Sequence, residues 1–209
     1  MKILALSDQV VERLYTLASS GYLRDVMMII GCGDLPYSYL EYLVSVLNVH
    51  LYYVPGNHDP EYIALDKNTY AEGGINIDLK VVRIKGLMIA GLGGSIRYLP
   101  AGYNQYTQME MYLRMVRLLP QLVWNQLQYG RMLDILVTHS PPFKINDDDS
   151  QAHKGLRALN NLIRWARPRY HMHGHIHFYH GNLTPSETMC GMTHVINVFP
   201  YRVIEISDE

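Results

Sequence analysis

Cysteine is nearly absent: the 209 residues hold only two, Cys32 and Cys190. Two cysteines make no disulfide framework of the kind that staples small secreted domains. Cys32 lies in the apolar run VMMIIGCG and reads as a small buried hydrophobe. Excess charge of either sign is missing too. The formal net charge is −1 and the pI about 6.8, so there is no basic field to recruit nucleic acid or an anionic membrane non-specifically. No apolar run approaches the ~20 residues of a membrane span. The opening MKILALSD turns polar too soon for a signal peptide. These absences point to a soluble, cytoplasmic protein. Tyrosine, by contrast, is abundant at 17 residues, and composition gives no reason for it.

What is present suits one domain spanning 1–209, long enough to bury a sizeable core. Short apolar runs at 2–7, 26–32 and 51–55 read as buried strands, and 10–19 and 37–48 as helices between them. That β-α-β-α-β order predicts a parallel sheet with helices packed on it. Residues 78–94 then read as two strands around Lys85-Gly86, and 108–127 as a helix kinked or broken at Pro120. Strands follow at 133–139, 169–175, 194–199 and 201–206, with a helix at 154–166. The stretches 96–107 and 146–155 are expected to be irregular.

The most unusual stretch is HMHGHIHFYH, residues 171–180, which holds half of the chain's 10 histidines. It is internal and interrupted, so it is no terminal tag. Alternate residues of a strand point the same way. The alternation therefore fits either a polar strand face or imidazoles gathered on a metal. The ends of the other strands decide between these. In an open α/β sheet, ligands sit beyond the carboxyl ends of the strands. Those ends carry Asp8, Asp34, Asn57-His58-Asp59, His139 and His175/His177. Each alone has a bland account as a helix cap or turn residue. Together they form a carboxylate–amide–imidazole set suited to Mn²⁺, Fe²⁺, Zn²⁺ or Ni²⁺. Two such ions about 3.5–4 Å apart clamp a phosphoryl group and supply hydroxide for in-line attack.

The ordered series SDQV, GD (33–34), GNHD (56–59), THS (138–140) and GHIH (174–177) resembles the calcineurin-like metallophosphoesterases over residues 3 to about 206. The resemblance implies an α/β fold: a four-layer αββα sandwich, two mixed sheets flanked by helices. It implies two divalent metals bridged by Asp34. Asp8 and His177 would hold the first, and Asn57, His139 and His175 the second. His58 would bind no metal but donate a proton to the leaving-group oxygen or stabilise the phosphoryl charge, oriented by Asp59. The implied activity is hydrolysis of a small phosphodiester or phosphomonoester. A protein phosphatase or nuclease on the same site is the alternative enzyme reading.

One position departs from the pattern. The family's first motif is Asp-x-His, and here Val10 stands in place of the histidine. Valine binds no metal. The first site would be weaker, use Gln9 or His173 as a substitute, or be lost. A catalytically impaired metal- or nucleotide-binding module is the corresponding non-enzyme reading. Substrate contacts are less legible. Arg97 offers a bidentate phosphate donor, His153 lies in a loop that closes over the site or caps the next helix, and His173 is grouped with them. His171 and His180 are read as structural or solvent-facing. The sequence leaves the oligomeric state open.

Overall fold

The computed structural model describes residues 1–59, 69–177 and 185–206. One sheet comprises β1 (Lys2–Leu6), β2 (Val26–Gly31), β3 (Leu51–Tyr53), β4 (Gly74–Asn76) and β13 (Tyr201–Glu205). Its order is β13-β1-β2-β3-β4, with β13 antiparallel to β1 and the other neighbours parallel. The second sheet comprises β5 (Val81–Ile84), β6 (Leu87–Leu92), β9 (Ile135–Thr138), β10 (Tyr170–His173), β11 (Glu187–Cys190) and β12 (Thr193–Asn197). Its order is β11-β12-β10-β9-β6-β5, with a parallel centre and antiparallel edges.

Alternation along each strand builds the layers. In β1, Ile3 and Ala5 enter a core shared with Ile135, Val137 and Met172 of the second sheet. Leu4 and Leu6 face the other way, onto α1 (Glu12–Ser19) and α2 (Tyr37–Leu47). In β9, Leu136 turns away from the shared core toward α3 (Gln108–Val116), α4 (Leu119–Tyr129) and α5 (Arg157–Ala166). Three apolar layers thus separate helices, sheet, sheet and helices, which is the expected αββα sandwich. Strands buried on both faces read as continuous apolar runs, as β1, β2, β6 and β9 do. No helix among the described residues is long and apolar enough to cross a membrane.

Local chemistry sets the helix ends. The stretch 108–127 divides before Pro120, which lies in the first turn of α4 where its missing N–H costs nothing. Thr107 and Glu110 form a reciprocal capping box on α3. The tyrosines have an account here. Tyr15 of α1 packs edge-on against Tyr39 and Tyr42 of α2. The Tyr39 and Tyr53 hydroxyls accept from the backbone N–H groups of Val11 and Ala71. These rings fill volume while their hydroxyls satisfy loop amides.

Two features differ from the sequence reading. The region 96–107 is not wholly irregular: β7 (Ser95–Ile96) pairs in parallel with β8 (Gln105–Tyr106), closing a loop. The edge strands β4 and β11 escape prediction because each is short and only half-buried.

Candidate metal centre

The register of the sheets aligns the strand ends. Leu6 pairs with Gly31 and Gly31 with Tyr53, so β1, β2 and β3 finish side by side. Asp8, Asp34 and Asn57 follow directly. In the second sheet β9 and β10 are parallel neighbours, so His139 and His175 leave together. Asp8 (φ 64°), Asp34 (φ 58°) and His175 (φ 67°) all occupy the left-handed backbone region. Non-glycine residues seldom stay there without compensation, and such strain concentrates at functional sites.

His139 is the hub. It is fully buried, and its Nδ1 lies 2.8 Å from the Cys32 carbonyl. A carbonyl only accepts, so Nδ1 carries the proton and Nε2 faces inward. Around Nε2 lie Asn57 Oδ1 at 3.1 Å, His175 Nδ1 at 3.1 Å and Asp34 Oδ2 at 3.2 Å. His175 is fixed the same way: its Nε2 donates to the Ala152 carbonyl at 2.9 Å, leaving Nδ1 as a lone pair. Two imidazole nitrogens and two oxygens thus converge, all of them electron donors. Such a set is stable only around a cation, either a proton on His139 Nε2 or a metal ion.

The electrostatics agree. Burial would lower His139, but the adjoining Asp34 carboxylate overrides it and raises the imidazolium pKa to about 10. Burial, reinforced by the charge on His139, drives His175 down to about 3 and keeps it neutral. Among the described residues, Asp34, His139 and His175 form a group whose ligand atoms all lie within 4.8 Å of one another. The donor types fit a borderline divalent ion. This is the set expected for the second metal.

Asp8 and His177, expected at the first metal, also meet each other. His177 Nε2 lies 3.3 Å from Asp8 Oδ1, and its ring stacks on Phe199 at 4.6 Å. The other Asp8 oxygen accepts from the His175 N–H at 2.9 Å. Although burial opposes ionisation of Asp8, the hydrogen bond from His177 and the charge on His139 bring its pKa down to about 2. Val10 is half-buried and packs against the helix-side core. Gln9 is exposed.

The GNHD turn wraps Asp34. The His58 N–H donates to Asp34 Oδ1 at 2.7 Å, while the His58 side chain is exposed. Asp59 is buried, and its Oδ2 accepts from the Gly56 N–H at 2.7 Å, closing the turn. Burial, with Asp34 nearby, raises the Asp59 carboxyl to about 7. The folded pKa thus exceeds the unfolded one, so native Asp59 holds its proton more tightly. Its contribution is complete below about pH 4 and is lost as pH rises through 7, a few kcal/mol in all. Asp59→Asn is expected to flatten the decline in stability of metal-stripped protein between those limits, read by urea unfolding at each pH. An unchanged slope would remove Asp59 as its source.

Glycine is obligatory at 56. A β-carbon there would lie 2.0 Å from Asp34 Oδ1 and 2.7 Å from the Asp34 amide. Gly56→Ala is expected to displace Asp34, cost about 2–4 kcal/mol of stability, and lower metal content measured by elemental analysis. Normal content and an unchanged melting temperature would contradict that close approach.

The substrate-side expectations divide. His153 lies where a closing loop would put it, 5.3 Å ring to ring from His175, with Nδ1 2.8 Å from Ser150 Oγ. Asp147 and Asp148 fold inward, accepting from Lys144, Gly155 and Ser150 N–H groups. Arg97 is engaged elsewhere: its guanidinium pairs with Glu110 at 2.9 Å and donates to the Gln105 carbonyl at 3.1 Å. The reading of His173 as a substrate contact is corrected. It is 0% exposed, on the β10 face opposite Met172, beside His171. The alternation breaks at Gly174, after which His175 takes positive φ. The candidate ligands His175 and His177 therefore lie past the end of β10 and do not continue the alternation of His171 and His173. His171 is structural, with Nε2 2.7 Å from Thr138 Oγ1. His180 lies outside the described residues.

Sequence reasoning missed the carbonyls of Cys32 and Ala152, which fix both imidazoles, because backbone groups carry no side-chain signature. It also missed Tyr98 as an Asn57 partner: the Asn57 Nδ2 donates to the Tyr98 hydroxyl at 3.2 Å. A cavity of about 360 Å³ lined by Ile163, Arg164, Cys190 and Met192 belongs to the α5 side and shares none of these residues.

The chain is similar to known proteins in sequence and in fold. An uncharacterized protein of Methanocaldococcus jannaschii is 27% identical over 165 residues, covering 73% of this chain and 69% of that protein. A solved structure from Thermus thermophilus is 17% identical, covers 94% of this chain and 88% of its own, and superposes with a TM-score of 0.57. Another solved chain, 12% identical, covers 99% of both with a TM-score of 0.63. These two likenesses establish the fold. The sequence model of the calcineurin-like phosphoesterases matches residues 10–179, more than half of the chain. With its ordered ligands on a two-sheet scaffold, the chain belongs to the calcineurin-like phosphoesterase family.

Proposed function

We propose that residues 1–209 act as one domain, a metal-dependent phosphoesterase that hydrolyses a small phosphodiester or phosphomonoester. The observation that carries this reading is the convergence of Asp34, Asn57 and His175 donor atoms on His139 Nε2, at 3.1–3.2 Å. Asp34, Asn57, His139 and His175 would hold one divalent ion; Asp8, His177 and Asp34 would hold the other. Such ions neutralise phosphoryl charge and generate hydroxide near neutral pH. The chain's own residues do the rest. His58, whose backbone N–H meets Asp34 and whose side chain is exposed, would donate a proton to a leaving oxygen. Asp59 holds the turn that carries it. His153 borders the same face and would contact substrate.

The test compares hydrolysis of an aryl phosphodiester by metal-stripped protein before and after Mn²⁺ is restored, with Asp34→Asn as blank. Restored turnover, absent in the blank, supports the reading. Phosphopeptide and DNA substrates measured alongside separate a phosphatase or nuclease. A second reading rests on Val10, whose side chain packs against the helix-side core and leaves Asp8, Asp34 and His177 without the histidine usual in the family. A module impaired in this way would bind nucleotide without turnover in every metal tried.

A further inference from the structure

The loop between β7 and β8 is built more tightly than a surface connection requires. Gln105 is 3% exposed, and its Oε1 accepts from both the Tyr98 and Leu99 N–H groups, at 3.2 and 3.0 Å. A β-carbon at Gly102 would lie 2.2 Å from the same amide, so the loop closes directly over it. The loop's base is tied to the GNHD turn twice. The Gly94 N–H donates to the Pro55 carbonyl at 2.8 Å, and Asn104 Nδ2 donates to the Gly56 carbonyl at 2.9 Å. Behind it, Arg114 lies 4.1 Å over the Tyr106 ring, and its Nη2 donates to both Asp78 carboxylate oxygens at 2.7 Å. All this holds Tyr98 still, and the Tyr98 hydroxyl meets Asn57 Nδ2 at 3.2 Å.

We propose that Tyr98 is a positioning residue for the metal ligand Asn57, a role that rests on the metal-centre reading above. An asparagine amide has two ends of nearly equal size and opposite polarity, and only its oxygen can ligate a cation. Asn57 is 6% exposed, with Oδ1 directed at His139 Nε2 and Nδ2 at Tyr98. The two contacts fix the amide at both ends. Without the hydroxyl, Nδ2 is a buried donor lacking its partner, and the side chain gains rotamers that withdraw the oxygen. Outer partners of this kind usually change metal affinity about 10–100-fold.

The test is a double-mutant cycle on metal affinity, read by Co²⁺ absorption titration and equilibrium dialysis rather than by turnover. Tyr98→Phe is expected to weaken the tighter Co²⁺ site about tenfold or more and to shift its absorption band. In an Asn57→Asp background an oxygen faces the ion whichever way the group turns, so Tyr98→Phe should then cost less than about threefold. Leu99→Ala, on the same loop, should leave the tighter site unchanged. If Tyr98→Phe has no effect, or an equal effect in both backgrounds, Tyr98 does not act through Asn57. If Leu99→Ala weakens the site equally, loop integrity is the cause and the proposal also falls. If wild-type protein binds no Co²⁺ at all, the proposal falls together with the metal-centre reading. Should Tyr98→Phe not fold, Gln105→Asn, which slackens the loop through its own backbone contacts, must give a smaller loss in Asn57→Asp than in wild type; an equal loss overturns the role.

Discussion

Asp34→Asn is expected to lower kcat/KM for any phosphoester the enzyme accepts by about 10³-fold or more, about 4 kcal/mol of transition-state stabilisation. The effect is large because one carboxylate serves three partners. Asp34 Oδ2 faces His139 Nε2 at 3.2 Å, Oδ1 accepts from the His58 N–H at 2.7 Å, and in the proposed centre the same carboxylate would be shared by both metals. An amide in its place keeps the size, loses the charge and directs two protons toward groups that need an acceptor. His139 loses the neighbour that holds its pKa near 10, so the nitrogen that would have carried a cation instead faces a donor. Steady-state kinetics with Mn²⁺ restored check the loss. Activity within tenfold of wild type would show that Asp34 carries no bridging role.

His58→Ala should behave differently. The Asp34 contact comes from the His58 backbone, which alanine retains, and the imidazole is exposed rather than packed among the ligands. Metal content should therefore stay at the wild-type level while kcat falls about 10²–10⁴-fold, the usual range for a lost general acid or base. Substrates with a good leaving group, such as a nitrophenolate, need less proton donation and should lose least. Equal losses across leaving groups of different pKa would point to phosphoryl binding in place of proton transfer. Loss of metal in step with activity would make His58 a structural part of the centre.

The two variants also show what was legible in the sequence. The ligands could be read because each follows an apolar run at a strand end, and a parallel sheet brings such ends to one rim. Asp8, Asp34, Asn57, His139, His175 and His177 all lie at that rim. The histidine cluster was legible only in part. A period of two predicts one face, but Gly174 interrupts β10 and His175 takes a left-handed conformation. His173, grouped with the substrate contacts, is instead buried on the helix side with His171. Arg97 was similarly ambiguous, because a loop arginine has no periodicity to direct it; here it pairs with the helix cap residue Glu110. The groups that orient His139 and His175 are carbonyls, and no side chain at 32 or 152 announces them. β4 and β11 were missed because edge strands need neither a full apolar face nor length.

Metal stoichiometry tests the centre most directly. Purified chain, stripped and then dialysed against Mn²⁺, is measured by elemental analysis beside His139→Gln and Asp8→Asn. Wild type should retain metal, and His139→Gln should lose it from the His139/His175 side. Asp8→Asn should lose only the weaker, Val10-compromised site. Equal metal content in wild type and His139→Gln, or none in either, would contradict a centre assembled on His139.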